Sequence, residues 1–562
     1  MLLRLACAAA MVARAFATAP GQLDVNDAVS IKNVASTIAH GAMSLYTGNI
    51  TNTDDTIAVW PAPIYWWESG AAWGAILDYY HYTGDDTYNE VATQAIMSQL
   101  GPNFDLMVPQ HEGDEGNDDQ AFWSFTILEA AERNFPQPND DTPSWIDIAI
   151  NVWNSMVVRW DTAHCGGGLY WQIFASNYNG LHYKNSVSNG GFFQLSARLA
   201  RATGNQTYLD WAQKVWDWSE SVGFVTDAYG TGALDVLDGA DISDDCKTTN
   251  QLSFSYSQGI YLYGAAVLYN YTNGDSTWDD RVSRLLQGTE TYFTPYDNAT
   301  NVMFEHACET VDLCKTDMLS FKAYMSRFMW ATTHMVPSTY DTISEKLTAS
   351  AIAAGNACCG GDSGTTCGFK WYVGGFDGNA GLGQQLDALE TIQGLLVSQA
   401  APPLKAGEIQ HVGQSTTGAT TSISPGTLSG QSTVIQSPAT IQSTAKGQST
   451  VTSPSTATSP STATSPSTAT NPSTASGQSE SSADDQPESS TYVLLTASYT
   501  ASTILYTTQA SSAISILQPP STSLLTSTPT ASPGIIKENG VGKLCTTWSA
   551  FALVLVSLWG LS

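Results

Sequence analysis

"GFFQLSARLARATGNQTYLDWAQKVWDWSE" runs from Gly191 to Glu220. Its apolar residues recur at helical spacing on both sides of Gly204-Asn205. The glycine there ends one helix, and the Asn/Thr pair after it starts another. The stretch therefore reads as a helical hairpin. Its turn, "ATGNQTY" ending at Tyr208, returns as "YTGDDTY" ending at Tyr88 and "YTNGDSTW" ending at Trp278. Weaker echoes are "NDDTPSW" ending at Trp145 and "VPSTY" ending at Tyr340, so copies lie roughly 60 residues apart. Flanking helices near 26–46 and 381–398 complete about six hairpins. Repeated helix pairs bury their faces on their neighbours. The pattern predicts an all-α (α/α)6 toroid, and an open α-solenoid fits the period almost as well.

The ends of the chain read as addresses. Arg4 and Arg14 flank an alanine-rich apolar run that closes on Ala15-Phe16-Ala17, which predicts a secretory signal peptide over residues 1–17. At the other end, small residues at Asn539 or Gly540 precede a polar spacer and the tail "WSAFALVLVSLWGL". That order predicts a glycosylphosphatidylinositol attachment signal over 540–562, removed on maturation. The tail is shorter than the ~20 residues a membrane-spanning helix needs. Between these ends, 402–538 is dominated by Ser, Thr and Pro, with "SPSTAT" repeated at 453, 459 and 465. Such a tract is expected to be a disordered, O-glycosylated stalk. The expected product is an extracellular protein held to the lipid bilayer, or passed to the cell wall, with residues 22–400 as its folded part.

The formal net charge of −30 argues against nucleic acid as a partner. Sequons at Asn49, Asn205, Asn270 and Asn298 suit a secreted surface. Of nine cysteines, Cys7 and Cys545 fall in the two terminal signals. Proximity favours Cys308–Cys314 and a bond from Cys358 or Cys359 to Cys367, while spacing leaves the further pairing Cys165–Cys246 open.

The chemistry lies between the repeat copies, where loops would gather on one rim. "YWWESGAAWGAILDYY" (65–80), "CGGGLYWQI" (165–173), "YKNSVSNGGFF" (183–193), "DGADISDDC" (238–246) and "CGFKWYVGGFDGNAGLGQQLDALE" (367–390) combine aromatics, carboxylates and amides. Aromatic faces stack on sugar C–H faces, while carboxylates and amides bond the hydroxyls, so this mixture fits an uncharged carbohydrate groove. Glu68, Asp238 and Asp377 are candidate subsite groups. Trp67, Trp123 and Trp171 are candidate sugar platforms, with helix packing the competing role for each.

"EGNDDQAFWS" (115–124) sets Asp118 beside Asp119 where a helix begins. One explanation is a capping box, with Asn117 as N-cap and Gln120 as third helical residue. The other is catalysis by two carboxyls of different proton affinity. Retaining glycosidases hold a nucleophile and an acid/base about 5–5.5 Å apart, within reach of adjacent side chains. A helix N-terminus favours the ionised nucleophile, whose charge keeps its partner protonated.

"GNDDQAFW", "YWWESGAAWGAILDYY", "YKNSVSNGGFF", "SYSQGIYLYGAA", "SFKAYMSRFMWATT" and the 367–390 stretch, taken together, resemble glycoside hydrolase family 76 over most of 25–398. The likeness is to its fungal GPI-anchored branch of endo-α-1,6-mannosidase-like wall proteins. The resemblance implies an (α/α)6 barrel and retaining action on α-1,6-linked mannose, with Asp118 as nucleophile and Asp119 as general acid/base. It implies no metal or organic cofactor, and the protein is expected to act as a monomer. It also implies transfer of a mannose-containing GPI-core glycan to wall β-glucan, in place of simple hydrolysis. Ser257, Tyr170 and Phe376 depart from common family residues (asparagine, arginine and tryptophan) and bear on which glycan is preferred. Hydrolysis of the same linkage and mannan binding without turnover are the alternatives.

Overall fold

The computed structural model describes residues 19–410, except 140, 178 and 179. The two expected terminal signals and nearly all of the expected stalk lie outside the described residues. Twelve long helices and one short helical turn are present among the described residues. They are α1 (Ala28–Ser44), α2 (a single turn, Gly48–Thr51), α3 (Trp66–Thr83), α4 (Asn89–Ser98), α5 (Asn117–Glu132) and α6 (Trp145–Val157). Then follow α7 (Ser186–Thr203), α8 (Gln206–Ser221), α9 (Ser255–Tyr271), α10 (Ser276–Gly288), α11 (Phe321–Met335), α12 (Tyr340–Ala357) and α13 (Leu382–Gln393).

The odd-numbered helices from α3 to α13 are buried almost all round, while α1, α4, α6, α8, α10 and α12 bury one stripe. A helix apolar on every side belongs inside, and one with a polar face belongs outside. The six inner helices therefore form a ring within the six outer ones.

Polar and small residues stitch the inner ring together. Thr126 Oγ1 on α5 donates to Gly70 O on α3 at 2.7 Å, and Gly191 on α7 leaves no room for a Cβ beside Ala121 on α5. Gln194 Nε2 on α7 reaches Ile260 O on α9 at 3.1 Å, and Gly259 on α9 lies against Met325 on α11. Ser326 on α11 bonds Thr391 on α13 at 2.7 Å. The last link decides the architecture: Gln393 Nε2 on α13 donates to Ala75 O on α3 at 3.2 Å. Gln385 of α13 also donates to Ile38 O of α1 at 3.2 Å, so the first helix pairs with the last. The ring closes, and the chain is an (α/α)6 toroid rather than an open solenoid.

The repeat copies found in the sequence join inner helices to the outer helices that follow them. Loops running from outer to inner helices therefore gather at the opposite rim, where the inner N-termini meet. There a small antiparallel sheet feeds two inner helices: β1 (Tyr183–Asn185) leads into α7 and β4 (Thr249–Ser253) into α9. Both pair with β3 (Asp235–Asp241), whose other end pairs with β2 (Val225–Thr226). These short strands are an addition to the expected all-α toroid, which the helices otherwise build. A second hairpin, β5 (Cys358–Gly360) with β6 (Thr366–Cys367), carries the Cys358–Cys367 disulfide. Cys358, not Cys359, is the partner of Cys367, and Cys165–Cys246 and Cys308–Cys314 are also present.

Buried ion pairs also tie the inner helices together. Arg198 on α7 holds Glu132 on α5 at 2.8 Å, Arg327 on α11 holds Glu390 on α13 at 2.6 Å, and Arg133 pairs with Asp78. The packed chain also continues past the expected boundary at 402. Leu404 N donates to Glu132 O at 2.7 Å, and the Arg201 guanidinium grips the carbonyls of Pro403 and Leu404. Ile409 is buried. The sequence turns rich in Ser and Thr only after this docked segment.

Candidate active site

Helix α5 starts one residue earlier than the sequence indicates. Gly116, in extended conformation (φ −106°, ψ 170°), is the N-cap, so Asn117, Asp118 and Asp119 are the first three helical residues. The reason is tertiary. Gly116 pairs with Gln172 in an isolated β-bridge, and Asn117 N donates to Trp171 O at 2.8 Å, which pins the helix entry to the 165–173 loop. Asp119, not Gln120, occupies the third position, where its Oδ2 accepts the Gly116 amide at 2.9 Å. Glycine has no side chain to reciprocate, so only half of a capping box exists. Gln120 turns instead toward Leu106 O and Arg159.

Gly116 has a second role. A Cβ on it would stand 2.4 Å from Asp118 Oδ1 and 2.5 Å from Asp119 Oδ2. The two oxygens that flank this point are therefore no more than about 5 Å apart, too close for the roughly 6.5–9.5 Å of an inverting pair and compatible with a retaining one.

The environments of the two carboxyls differ. Asp118 is half-buried; its Oδ1 accepts the Asp119 amide at 3.1 Å and its Oδ2 accepts Asn185 Nδ2 at 3.2 Å. Asp119 is 8% exposed, and its Oδ2 accepts the Gly116 amide. Burial raises the proton affinity of both. Hydrogen bonds from Asp119 and Asn185 oppose the rise at Asp118. At Asp119 the Asp118 charge adds to it, and the proton it donates toward Asp118 adds further. Asp119 therefore holds the shared proton and Asp118 carries the charge, at the positive end of α5.

Arg159 locks this turn from below, donating Nε to Asn117 Oδ1 at 2.8 Å while also bonding Gln120 and Ser155 O. Around the pair, Tyr256 on α9 stacks on Phe321 at 3.9 Å, with Phe122 beyond. Burial and then the charges of Asp238, Asp118 and Asp317 push the Tyr256 hydroxyl well above its ordinary range.

The other candidates divide. Trp67 is half-buried, packs on Phe122 at 4.6 Å and donates Nε1 to Asp317 Oδ1 at 3.2 Å, which places it on the groove wall. Trp171 is half-buried beside the pair, and its carbonyl holds α5 in place. Trp123 is 0% exposed and donates to Trp66 O, so it belongs to the core and offers no platform. Glu68, 1% exposed, caps α3 by accepting Tyr65 N at 2.9 Å, and burial pushes its carboxyl up to about 8; it is a structural group. Asp238 accepts Tyr183 Oη at 2.7 Å and Asn250 Nδ2 at 3.0 Å on the rim sheet. Asp377 ties its own loop, accepting the amides of Phe369, Lys370 and Asn379.

Tyr170 aims its hydroxyl at Asp161 and His164, and only its carbonyl reaches the turn of the aspartate pair, through Asn117 Nδ2. Ser257 is buried, and the Phe376 ring packs under Gly360. A cleft of about 520 Å³ lined by His40, Met43, Asn49, Tyr88 and Glu90 lies on the outer helices and shares no residue with this groove. Asn185, Tyr256 and Asp317 escaped the sequence reading. The first two sit in quoted motifs, whereas nothing around Asp317 marks it.

The family model for glycosyl hydrolase family 76 matches residues 30–407. The chain belongs to glycosyl hydrolase family 76. It is 42% identical over 385 residues to mannan endo-1,6-alpha-mannosidase DCW1 of Candida glabrata, covering 68% of this chain and 84% of that one. It is 44% identical over 371 residues to mannan endo-1,6-alpha-mannosidase DCW1 of Saccharomyces cerevisiae, covering 66% and 80%. Among solved structures, Dfg5 of Chaetomium thermophilum in complex with glucosamine is 38% identical with a TM-score of 0.65, covering 69% of this chain and 96% of that one. An inactive variant of the alpha-1,6-mannanase GH76A of Salegentibacter in complex with alpha-1,6-mannotriose shares the fold at 17% identity and a TM-score of 0.51, covering 65% and 99%. The family 76 chain described here is a glycoside hydrolase, with its candidate catalytic pair at the start of an inner helix.

Proposed function

We propose that this family 76 enzyme cleaves α-1,6-linked mannose with retention, Asp118 as nucleophile and Asp119 as general acid/base. The observation that carries this reading is the pair itself. Two carboxyls lie within about 5 Å of each other at one helix N-terminus, one stabilised as an anion and the other as an acid. The relatives named as mannan endo-1,6-alpha-mannosidases supply the substrate class.

In the first step Asp118 attacks the anomeric carbon of the sugar while Asp119 protonates the departing O6, and a mannosyl ester on Asp118 results. In the second, Asp119 takes a proton from an incoming hydroxyl, which attacks the same carbon and frees Asp118. Water as that hydroxyl gives hydrolysis, and a sugar gives transfer. We favour transfer, with a mannose-containing GPI-core glycan as donor and wall β-glucan as acceptor. The support is the resemblance to the fungal wall-protein branch. The terminal signals support residence outside the cell, anchored to the membrane or moved to the wall.

The test is to incubate the protein with an α-1,6-mannooligosaccharide, with and without a β-glucan acceptor, and to read products by mass spectrometry beside Asp118→Asn and Asp119→Asn. A donor fragment joined to acceptor establishes transfer, and shortened donor alone establishes hydrolysis. Glycan binding with no turnover in the wild type overturns the catalytic reading in favour of adhesion.

A further inference from the structure

Asn185 belongs to the motif "YKNSVSNGGFF", and it does two things at once. As N-cap of α7, its Oδ1 accepts Ser188 N at 3.1 Å. A backbone N–H can bond only the oxygen end of the amide, so the cap fixes which end is which, and Nδ2 is turned to Asp118 Oδ2 at 3.2 Å. Its backbone is equally constrained. Asn189 Nδ2 donates to Asn185 O at 2.9 Å and to Leu169 O at 3.0 Å, while Asn189 Oδ1 accepts Leu169 N at 2.8 Å. Lys184, one residue earlier and buried, is tethered to Asp161 and to the carbonyls of His164 and Gly167. A helix cap, an asparagine bridge and a buried lysine thus converge to aim one N–H at the proposed nucleophile.

We infer that Asn185 is a positioning residue that orients Asp118 and holds it in its ionised form, with Asn189 bracing it from behind. The inference rests on the reading of Asp118 as nucleophile. Beside the proton shared with Asp119, Asn185 is the one side-chain donor to Asp118 among the described residues, so its charge-assisted hydrogen bond has no neutral substitute when the donor goes. The groups facing Asp118 are Asp119 on its own helix, Asn185 from β1 and α7, and Tyr256 from α9, and the charges of Asp238 and Asp317 also act on that tyrosine. None of these groups is cationic, so removing the Asn185 N–H leaves no positive charge beside Asp118 to compensate.

Two substitutions separate the cap from the donor. Asn185→Ser keeps a capping oxygen and is too short to reach Asp118. Asn185→Asp keeps the cap and replaces the donor by a carboxylate oxygen. The experiment follows the Asp118 carboxyl by ¹³C NMR titration of the aspartate-labelled full chain, assigned with Asp118→Asn, together with melting temperature and the pH profile of turnover. In Asn185→Ser the Asp118 titration and the acid limb of kcat should both move up by about one pH unit. Its kcat should fall about 10- to 100-fold with KM little changed. Asn185→Asp should move both further in the same direction while melting near wild type. An Asp118 titration unchanged in both variants overturns the inference, whatever turnover does. A shifted titration with turnover untouched sustains the contact and overturns the role of Asp118 as nucleophile instead.

Discussion

Replacing Gly116 with alanine adds one methyl group, and the structure says where it goes. The Gly116 backbone, at φ −106° and ψ 170°, is a conformation alanine adopts freely, so no backbone strain arises. The new carbon would, however, meet Asp118 Oδ1 at 2.4 Å, Asp119 Oδ2 at 2.5 Å and Trp171 O at 3.1 Å. Contacts under 3.0 Å are essentially never found for a Cβ. Each carboxyl must therefore withdraw by at least about half an ångström, which opens the pair by about 1 Å and disturbs the Gly116–Asp119 bond. Misplacement on that scale costs about 100-fold in rate, or about 2.7 kcal/mol on the barrier. Stability, by contrast, should change by no more than about 1 kcal/mol, since an N-cap glycine and alanine differ by that order. The assay is kcat on an α-1,6-mannooligosaccharide beside the melting temperature. A variant that turns over within about threefold of wild type would refute the claim that the two carboxyls work at their present separation.

Three further outcomes are expected. The Asp118 carboxyl, pushed up to about 6 by burial, loses its charge as pH falls through that value. kcat/KM should therefore decline below about pH 6, and fall on the alkaline side only where Asp119, held higher, gives up its proton; a profile flat down to pH 4 would contradict this. Trp123→Ala should destabilise the fold by about 3–5 kcal/mol in a denaturant titration, while Trp67→Ala should raise KM with a smaller loss of stability. Glycopeptide mapping should find sugar at the exposed Asn49, Asn205 and Asn298 and none at Asn270, whose amide accepts Arg201 Nε at 2.9 Å and donates to Met335 O at 3.3 Å. A glycan at Asn270 would mean that the Arg201 clamp on residues 403–404 is not built as described.

The helical hairpins were legible because their turns carry chemistry of their own, a glycine or asparagine stop followed by an Asx or hydroxyl start. Closure of the ring was not, because it depends on Gln393 of the last inner helix meeting Ala75 of the first, 318 residues away in the chain. The rim sheet was missed because its strands are short and one of them, "DVLDGAD", looks like an acidic loop. The position of the aspartate pair was plain from the sequence, yet its helix register was off by one residue. The Gly116–Gln172 bridge that sets it is a long-range contact. Trp67 and Trp123 illustrate the same limit. Both are tryptophans on inner helices, Trp67 in the first turn of α3 and Trp123 two turns into α5, but one faces the groove and the other faces Gly70. Which side of an inner helix looks into the ring is decided by neighbours the local sequence does not name.

The most direct test of the catalytic pair is the configuration of the first sugar it releases. Proton NMR can follow the anomeric signals of fresh product from an α-1,6-mannooligosaccharide before mutarotation scrambles them. Two carboxyls no more than about 5 Å apart predict that the α-anomer appears first. If the β-anomer appears first, a water must lie between the acid and the base, and Asp118 and Asp119 do not form the nucleophile and acid/base pair described here.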